Sequence, residues 1–422
     1  MKSTFSALRI RNYRLFAAGA LVSNVGTWMQ RVAQDWLVLE LTGSGQALGI
    51  TTGLQFLPMV LFSPLAGVFA DRYSKRKVIA AAQVVLGMTA ALLAVLAIAG
   101  WVATWHVYVI AFLFGTAAAF DTPARQAFVN EMVPRSQLPN AVALNSASFN
   151  LARMIGPALA GILIAALGSG VTATGWVILI NAASYAAVIV SLSRMRSSEL
   201  TPIDRLVRGK GQIRDGLRYV RGRPDIMPVM AIVFSAGTFG LNFQMTTALM
   251  ATRVYGKGAG EYGLLGSILA IGSLAGSLLA ARREVSRQRL VIGAAVAFGA
   301  VEMVAGLMPT YLTFALVLPA CGITALTVIT AANSLVQMST DAAVRGRVMA
   351  LYLAIFMGGT PLGAPMLGWL AEHYGARWTL VGGGALTMLG TLIATAVFAR
   401  SQNLMIWRTS GEPLDAVEYD LR

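Results

Sequence analysis

Cysteine and histidine are almost missing from this chain of 422 residues, which has one Cys and two His. Cys321 alone can close no intrachain disulfide and build no thiolate metal cluster. His106 and His373 stand far apart in sequence, so a His-based metal site or a Ser-His-Asp triad has nothing to build on. Charge is scarce too: Asp, Glu, Lys and Arg make up 12% of the chain, where a soluble domain carries about 25%. Acidic residues are the rarer sign, 18 against 33 basic ones, for a formal net charge of +15. A GxxxxGK[ST] loop is missing: "RGKGQI" has neither the glycine spacing nor the hydroxyl, so any work must draw on an ion gradient.

What the chain does have is apolar length. Hydrophobic residues make up 56% and the mean hydropathy is +0.67, which describes an integral membrane protein. Apolar stretches long enough to span a bilayer fall at 14–41, 46–70, 77–99, 103–122, 140–167 and 172–193, then at 226–252, 260–281, 289–307, 310–338, 347–371 and 378–399. The basic residues sit on alternate joints. One set holds Lys2, Arg9, Arg11 and Arg14; Arg72, Lys75, Arg76 and Lys77; Arg125 and Arg135; nine residues between Arg194 and Arg223; Arg282, Arg283, Arg287 and Arg289; and Arg345 and Arg347. The opposite joints hold only Arg253, Lys257 and Arg377. The positive-inside rule therefore puts both termini and the long middle loop in the cytoplasm. The net charge is thus a topology signal, and no nucleic-acid partner is expected. Met1 begins a basic amphipathic lead, "FSALRIRNYRLF" after Thr4, without a small-residue cleavage site, so the first span itself is expected to direct insertion.

Six spans, a basic loop and six more spans suggest a duplication. An offset of 207 pairs Gly156 with Gly363, Gly161 with Gly368, Gly115 with Gly322, Gln126 with Asn333 and Asn130 with Gln337. The expected organisation is a first half at 1–193, a cytoplasmic linker at 194–225, a second half at 226–399 and a cytoplasmic tail at 400–422. Two parallel six-helix halves are the arrangement of secondary transporters, with a substrate site between them near the midplane. Within the linker, "IRDGLRYVRGRP" spaces Ile213, Leu217 and Val220 as a helix would, either an interfacial helix facing anionic headgroups or a solvated basic linker.

The first span carries the chain's least expected polarity, "SNVGTWMQRVAQDWLV". At 100° per residue Asn24, Trp28, Arg31 and Asp35 share an arc of about 60°, with Thr27 and Gln34 beside it. On a lipid-facing helix two charges and three amides would cost about 6 kcal/mol or more, so the stripe is expected to line the cavity between the halves. Arg31 and Asp35 are four apart and can meet side by side. They are either a static ion pair that orients the helix or a proton switch, in which a proton and a cationic or amphipathic substrate compete for Asp35. Glu302 in the ninth span is a second candidate for proton coupling, ranked below Asp35. Gln55, Asn150, Arg153, Asn242, Gln244 and Asn333 are further candidates for the cavity lining, which suits amphipathic organic molecules better than small ions or sugars. In the fifth span, "LNSASFNLARMIGPALAG", Gly156, Pro157 and Gly161 allow a kink and close helix contact.

Between the second and third spans lies "GVFADRYSKRKVI". In that position Gly67, Asp71, Arg72, Tyr73, Lys75 and Arg76 resemble the signature loop of the major facilitator superfamily, with Ser74 in place of its second glycine. The resemblance implies a gate latch made of Gly67, Asp71, Arg72, Lys75 and Arg76, with Asp121 and Arg125 opposite. Asp71 would face the N-terminal end of the eleventh span, and Lys75 or Arg76 would meet Asp121. In the second half Gly276 survives but alanines replace the aspartate. The fifth span is similar to the antiporter signature of that superfamily, with Ala152 and Ala160 replacing two glycines. The first span, "FDTPARQAFVNEMVP" and "GLRYVRGRPDI" together resemble the branch of siderophore exporters and drug:proton antiporters.

The resemblance implies an all-α membrane protein of twelve spans in two pseudo-symmetric halves. It implies proton-coupled export of amphipathic drug-like or siderophore-like molecules by alternating access. Uptake, or movement of a lipid-like solute, is the alternative within transport; a sensor or a membrane enzyme is the alternative outside it. No cofactor and no metal are expected. The expected partners are a small-molecule substrate, protons and the lipid bilayer, and the expected state is a monomer in the cell membrane.

Overall fold

The computed structural model describes residues 5–201, 212–223, 225–282, 287–341 and 344–402. The expected tail beyond residue 402 and the linker stretch 202–211 lie outside the described residues. Among those described there is no strand. The first half is α1 (Arg11–Thr42), α2 (Gly45–Arg72), α3 (Lys75–Ile98), α4 (Thr104–Met132), α5 (Leu138–Ala166) and α6 (Val171–Ser193). A short helix, α7 (Gln212–Arg221), follows in the linker. The second half begins with α8 (Met227–Ser235) and α9 (Phe243–Leu249), which form one interrupted span, Met227–Val254. It continues through α10 (Ala259–Ala281), α11 (Gln288–Leu307), α12 (Tyr311–Met338), α13 (Arg345–Tyr374) and α14 (Arg377–Gln402). Eleven described spans are apolar enough to cross a membrane. α1, with its polar stripe, is the twelfth.

Two boundaries differ from the sequence reading for physical reasons. α4 runs on to Met132 rather than ending at 122, because "FDTPARQAFVNEM" stays helical past its apolar part. The seventh span, expected to be continuous, opens into a π turn at Ala236–Gly240 and breaks at Leu241 and Asn242. Gly237 and Gly240 weaken the helix there. The Asn242 side-chain amide donates to the Thr238 carbonyl at 2.8 Å, satisfying one acceptor that the break frees.

The glycines paired by the 207-residue offset make equivalent contacts. Gly156 packs α5 on α1 at Trp28, and Gly363 packs α13 on the interrupted span at Thr238. Gly161 brings α5 against α10 at Gly260, and Gly368 brings α13 against α2 at Gly45 and Gly49. Gly115 seats α4 on α2 at Gln55, and Gly322 seats α12 on α10 at Leu269. At each a methyl group would strike the neighbouring backbone or Cβ, so the repeat preserves sites of closest approach rather than overall composition. The most extensive crossings between the halves among the described residues are α5 with α10 and α2 with α13.

The bundle has a terminal face, from which α1 starts and on which α7 lies, and an opposite, far face. Along the α2/α13 crossing the helices diverge toward the terminal face. A Cβ on Gly53 would lie 3.0 Å from Pro365, whereas on Gly358, nearer the terminal face, it would meet nothing closer than Val60 at 3.9 Å. The far face carries exposed Trp101, Trp105, Trp378 and Tyr374, the aromatic belt of a membrane surface. On the terminal face α7 docks on α13 through Gly216 and the Arg347 carbonyl, with Val220 buried and Arg218 and Arg221 exposed. Arg223 anchors this region: it holds both oxygens of Asp225 at 2.8 and 2.7 Å and donates to the Ser339 carbonyl at 2.6 Å. The hydrogen bonds to Asp225 raise the Arg223 pKa above its already high usual value, so the pair stays charged.

Candidate functional site

A cavity of about 250 Å³ lies between the halves. It is lined by Trp28, Arg31 and Val32 of α1, Thr52 and Phe56 of α2, and Arg153 and Pro157 of α5; the second half contributes the break at Leu241–Gln244, Tyr262 and Ser273 of α10, and Phe356 and Thr360 of α13. Of the residues singled out in the sequence, Trp28, Arg31, Arg153, Pro157, Asn242 and Gln244 meet here. The break in the seventh span turns its backbone and Asn242 toward this space, as discontinuous helices do in transporters.

Arg31 and Asp35 do not form the side-by-side pair their spacing suggested, and no ion pair joins Arg31 to an acid among the described residues. The Arg31 guanidinium instead stacks over Trp28 at 4.7 Å and Phe56 at 5.5 Å, with its Nε buried and unpartnered. The reason is competition for Asp35. Its Oδ2 accepts from Gln244 Nε2 at 2.6 Å and from the Tyr262 hydroxyl at 2.7 Å, both in the second half. Asp35 is 1% exposed and sits behind these two residues, on the far side of the cavity. A carboxylate that takes charge-assisted bonds from two elements of the opposite half is a clasp between halves. The far face adds a second clasp. Arg253 pairs with Glu372 at 2.9 Å and donates to the Gly43 carbonyl, while Glu372 accepts from the Gly45 amide at 3.0 Å.

The polar residues of α1 divide between two directions. Ser23, Thr27 and Gln30 turn into the first half: Ser23 donates to Gln83 at 3.5 Å, Thr27 meets the Tyr185 hydroxyl at 3.2 Å, and Gln30 accepts from Asn181. Gln34, expected in the cavity, is outside its lining and 1% exposed, with neither polar side-chain atom partnered among the described residues. Gln55 is buried at the α2/α4 contact. Asn24, Asn150 and Asn333 are outside the lining; Asn150 donates to the Ser146 carbonyl of its own helix at 2.9 Å, and Asn333 accepts from Gln337 at 2.7 Å.

Glu302 lies elsewhere, inside the second half. It is 0% exposed, and neither carboxyl oxygen has a hydrogen-bond partner among the described residues. A Cβ on Gly240 would stand 2.9 Å from Oε2 and one on Gly383 3.4 Å from Oε1, so the carboxyl is walled between the π turn and α14.

The loop between α2 and α3 also pairs differently from the expectation. Lys75 bonds Glu131 at 2.6 Å, not Asp121. Asp121 is occupied within its own helix by Arg125 at 2.5 Å and accepts from Gln83 at 3.1 Å, whereas Glu131 lies at the end of α4 near the start of α3. Arg76 donates to the Ser197 hydroxyl at 2.7 Å and the Ser193 carbonyl, tying α3 to the start of the linker. Gly67 lies in α2 and Arg72 is exposed at its end; the Asp71 side chain lies outside the described residues.

Sequence reasoning missed Tyr262 and Ser273. Both lie on the largely apolar α10, on one face of the helix, and that shared face was the available signal.

A family model described as transmembrane secretion effector matches residues 2–410. The multidrug efflux pump Tap of Mycolicibacterium fortuitum is 29% identical over 381 residues, 87% of this chain and 90% of that protein. The macrolide efflux protein A of Streptococcus pyogenes is 27% identical over 155 residues, 37% of this chain and 38% of that protein. Among solved structures, a bacterial homolog of the human lysosomal transporter Spinster, in an inward-facing and unoccupied conformation, superposes with a TM-score of 0.71. It covers 95% of this chain and 98% of its own, and at 15% identity the likeness is one of fold.

Proposed function

The chain belongs to the transmembrane secretion effector family, and from that premise we propose that it exports amphipathic organic molecules across the cell membrane by alternating access, driven by the proton gradient. The fold is that of the major facilitator superfamily, as the loop after α2 and the fifth span suggested. The terminal face, where the basic joints gather, is read as cytoplasmic, with both termini inside. On that reading the α2/α13 divergence opens the cavity inward, and the clasps at Asp35 and Glu372 close its outer side. Export rather than uptake is supported by the Gly156, Pro157 and Gly161 signature and by the efflux activity named for Tap and the macrolide relative.

One observation carries the coupling: a single carboxylate, Asp35, bridges the halves through Gln244 and Tyr262. A proton on Asp35 weakens its capacity to accept both bonds, so its protonation is linked to which face is open. Glu302 is a second proton-binding candidate, enclosed in one half. Lys75 and Glu131 brace the cytoplasmic loop, and Arg72, Arg76, Asp71, Asp121 and Arg125 remain the proposed surroundings of that gate. A monomer is sufficient, since both halves of the cavity come from one chain.

The test is proton movement in proteoliposomes, using a compound first identified by accumulation in cells that express the protein. Asp35→Asn is expected to abolish substrate-dependent proton release while passive equilibration of the compound persists. Release at the unmodified rate would make Asp35 structural and remove the coupling mechanism.

A further inference from the structure

The described residues that line the central cavity include two guanidinium groups and no carboxylate. Arg31 enters from α1 and Arg153 from α5. Neither belongs to any ion pair among the described residues. Arg31 is held by ring faces and keeps a buried, unpartnered Nε. Arg153 donates to the Ser273 hydroxyl, a neutral partner. Inside a membrane bundle a cation normally pairs, lines water or meets an anionic ligand. Two unpaired cations on one cavity also repel each other, and a shared counter-ion relieves both costs at once.

Asp35 makes no direct ion pair with either arginine among the described residues. It is one turn along α1 from Arg31, but its described bonds go to Gln244 and Tyr262, and it sits behind them rather than on the cavity wall. Glu302 is enclosed in the second half, walled by Gly240 and Gly383. The other polar side chains of the lining, hydroxyls and amides, are uncharged. Beside the two cations stand Trp28, Phe56 and Phe243, which offer broad apolar faces.

We propose that the cavity takes amphipathic organic anions, with a carboxylate or similar oxyanion between Arg31 and Arg153 and an aromatic body against Trp28, Phe56 and Phe243. The proposal rests on the reading of this cavity as the transport site and names its substrate class. It reverses the expectation that a cationic substrate competes for Asp35, because such a cation would have to enter past two arginines. Arginine suits the role because its planar fork binds an oxyanion through two parallel bonds. An anionic cargo also leaves the cell with an inside-negative potential rather than against it.

The test uses two probes with the same ring and opposite charge, naphthaleneacetate and naphthylethylammonium, titrated calorimetrically against the full chain in a non-ionic detergent. The unmodified protein is expected to bind the anion at least about tenfold more tightly than the cation. Arg31→Gln and Arg153→Gln are each expected to weaken anion binding about tenfold or more, the scale for loss of a buried charged partner. Neither should weaken cation binding, and Arg31→Lys should keep most of the preference for the anion. The comparison in the unmodified protein needs no variant to fold. Equal or reversed preference, anion binding indifferent to both glutamine variants, or no binding of either probe overturns the proposal. Preferred cation binding that is lost in Phe243→Ala would keep the cavity as the transport site and discard only its anion selectivity.

Discussion

The two most deeply buried carboxyl groups among the described residues, Asp35 and Glu302, have opposite surroundings. Asp35, 1% exposed, takes hydrogen bonds from Gln244 and Tyr262 across the boundary between the halves. Glu302, 0% exposed, has no hydrogen-bond partner among the described residues and lies against Gly240 and Gly383 of its own half. Burial is therefore the same and cannot tell them apart. What differs is whether the surroundings change when the halves rock. A group bonded across the boundary must lose its partners when the outer side opens, while a group enclosed in one half keeps its walls. Glu302 has no described bond across the boundary for the rocking motion to make or break, so its surroundings are expected to stay the same through the cycle.

The largest effect is expected from Asp35→Leu. It strands the Gln244 amide and the Tyr262 hydroxyl in a dry interface, at about 2–5 kcal/mol of thermal stability in detergent, with loss of proton-driven export. A variant as stable as the original would show that the clasp contributes nothing. Next, Gly240→Ala places a methyl group against the Phe298 ring and 2.9 Å from Glu302 Oε2. Thermal unfolding should register about 1–3 kcal/mol from this overpacking, and its absence would mean the wall around Glu302 is soft. Tyr262→Phe removes one of the two bonds to Asp35 and should cost about 1–2 kcal/mol while leaving proton release detectable. The smallest change is expected from Glu302→Gln, a neutral group of the same shape, within about 1 kcal/mol and with proton release intact. If proton release instead falls as far as in Asp35→Asn, the contrast between the two acids is wrong and Glu302 joins the coupling path.

Much of the architecture is legible in the sequence alone, for reasons the residues make plain. Span length follows from hydrocarbon thickness, so apolar runs located the helices to within a few residues. Exceptions came where a helix outlasts its apolar part, as α4 does, or where it is interrupted, as at Gly240 and Asn242. The glycine offset anticipated equivalent crossings because a position of closest backbone approach tolerates no side chain. The stripe on α1 correctly marked a helix that lipid cannot surround. It misjudged Gln34, because α1 is packed on several sides and a polar face wider than one neighbour is shared among them. Lys75 found Glu131 rather than Asp121 because Arg125, one turn along α4, had already taken Asp121. Tyr262 and Ser273, eleven residues apart, fall on one face of α10, but that face carries no charge to set it apart from the ordinary hydroxyls of a membrane helix.

The sequence by itself determined that this chain lives in a membrane, crosses it twelve times, repeats one six-helix plan and carries buried charge in its first span. Each of these depends only on local composition and on spacing along the chain. Which buried charges find partners was decided by the tertiary structure alone. Residues one apart on a helix point about 100° apart and so meet different neighbours. That is why Gln30 turns into its own half while Arg31, next to it, opens onto the cavity; Asp35 and Glu302, equally hidden, differ because α1 packs against the opposite half at Asp35 while the contacts described around Glu302, at Gly240 and Gly383, are within its own half.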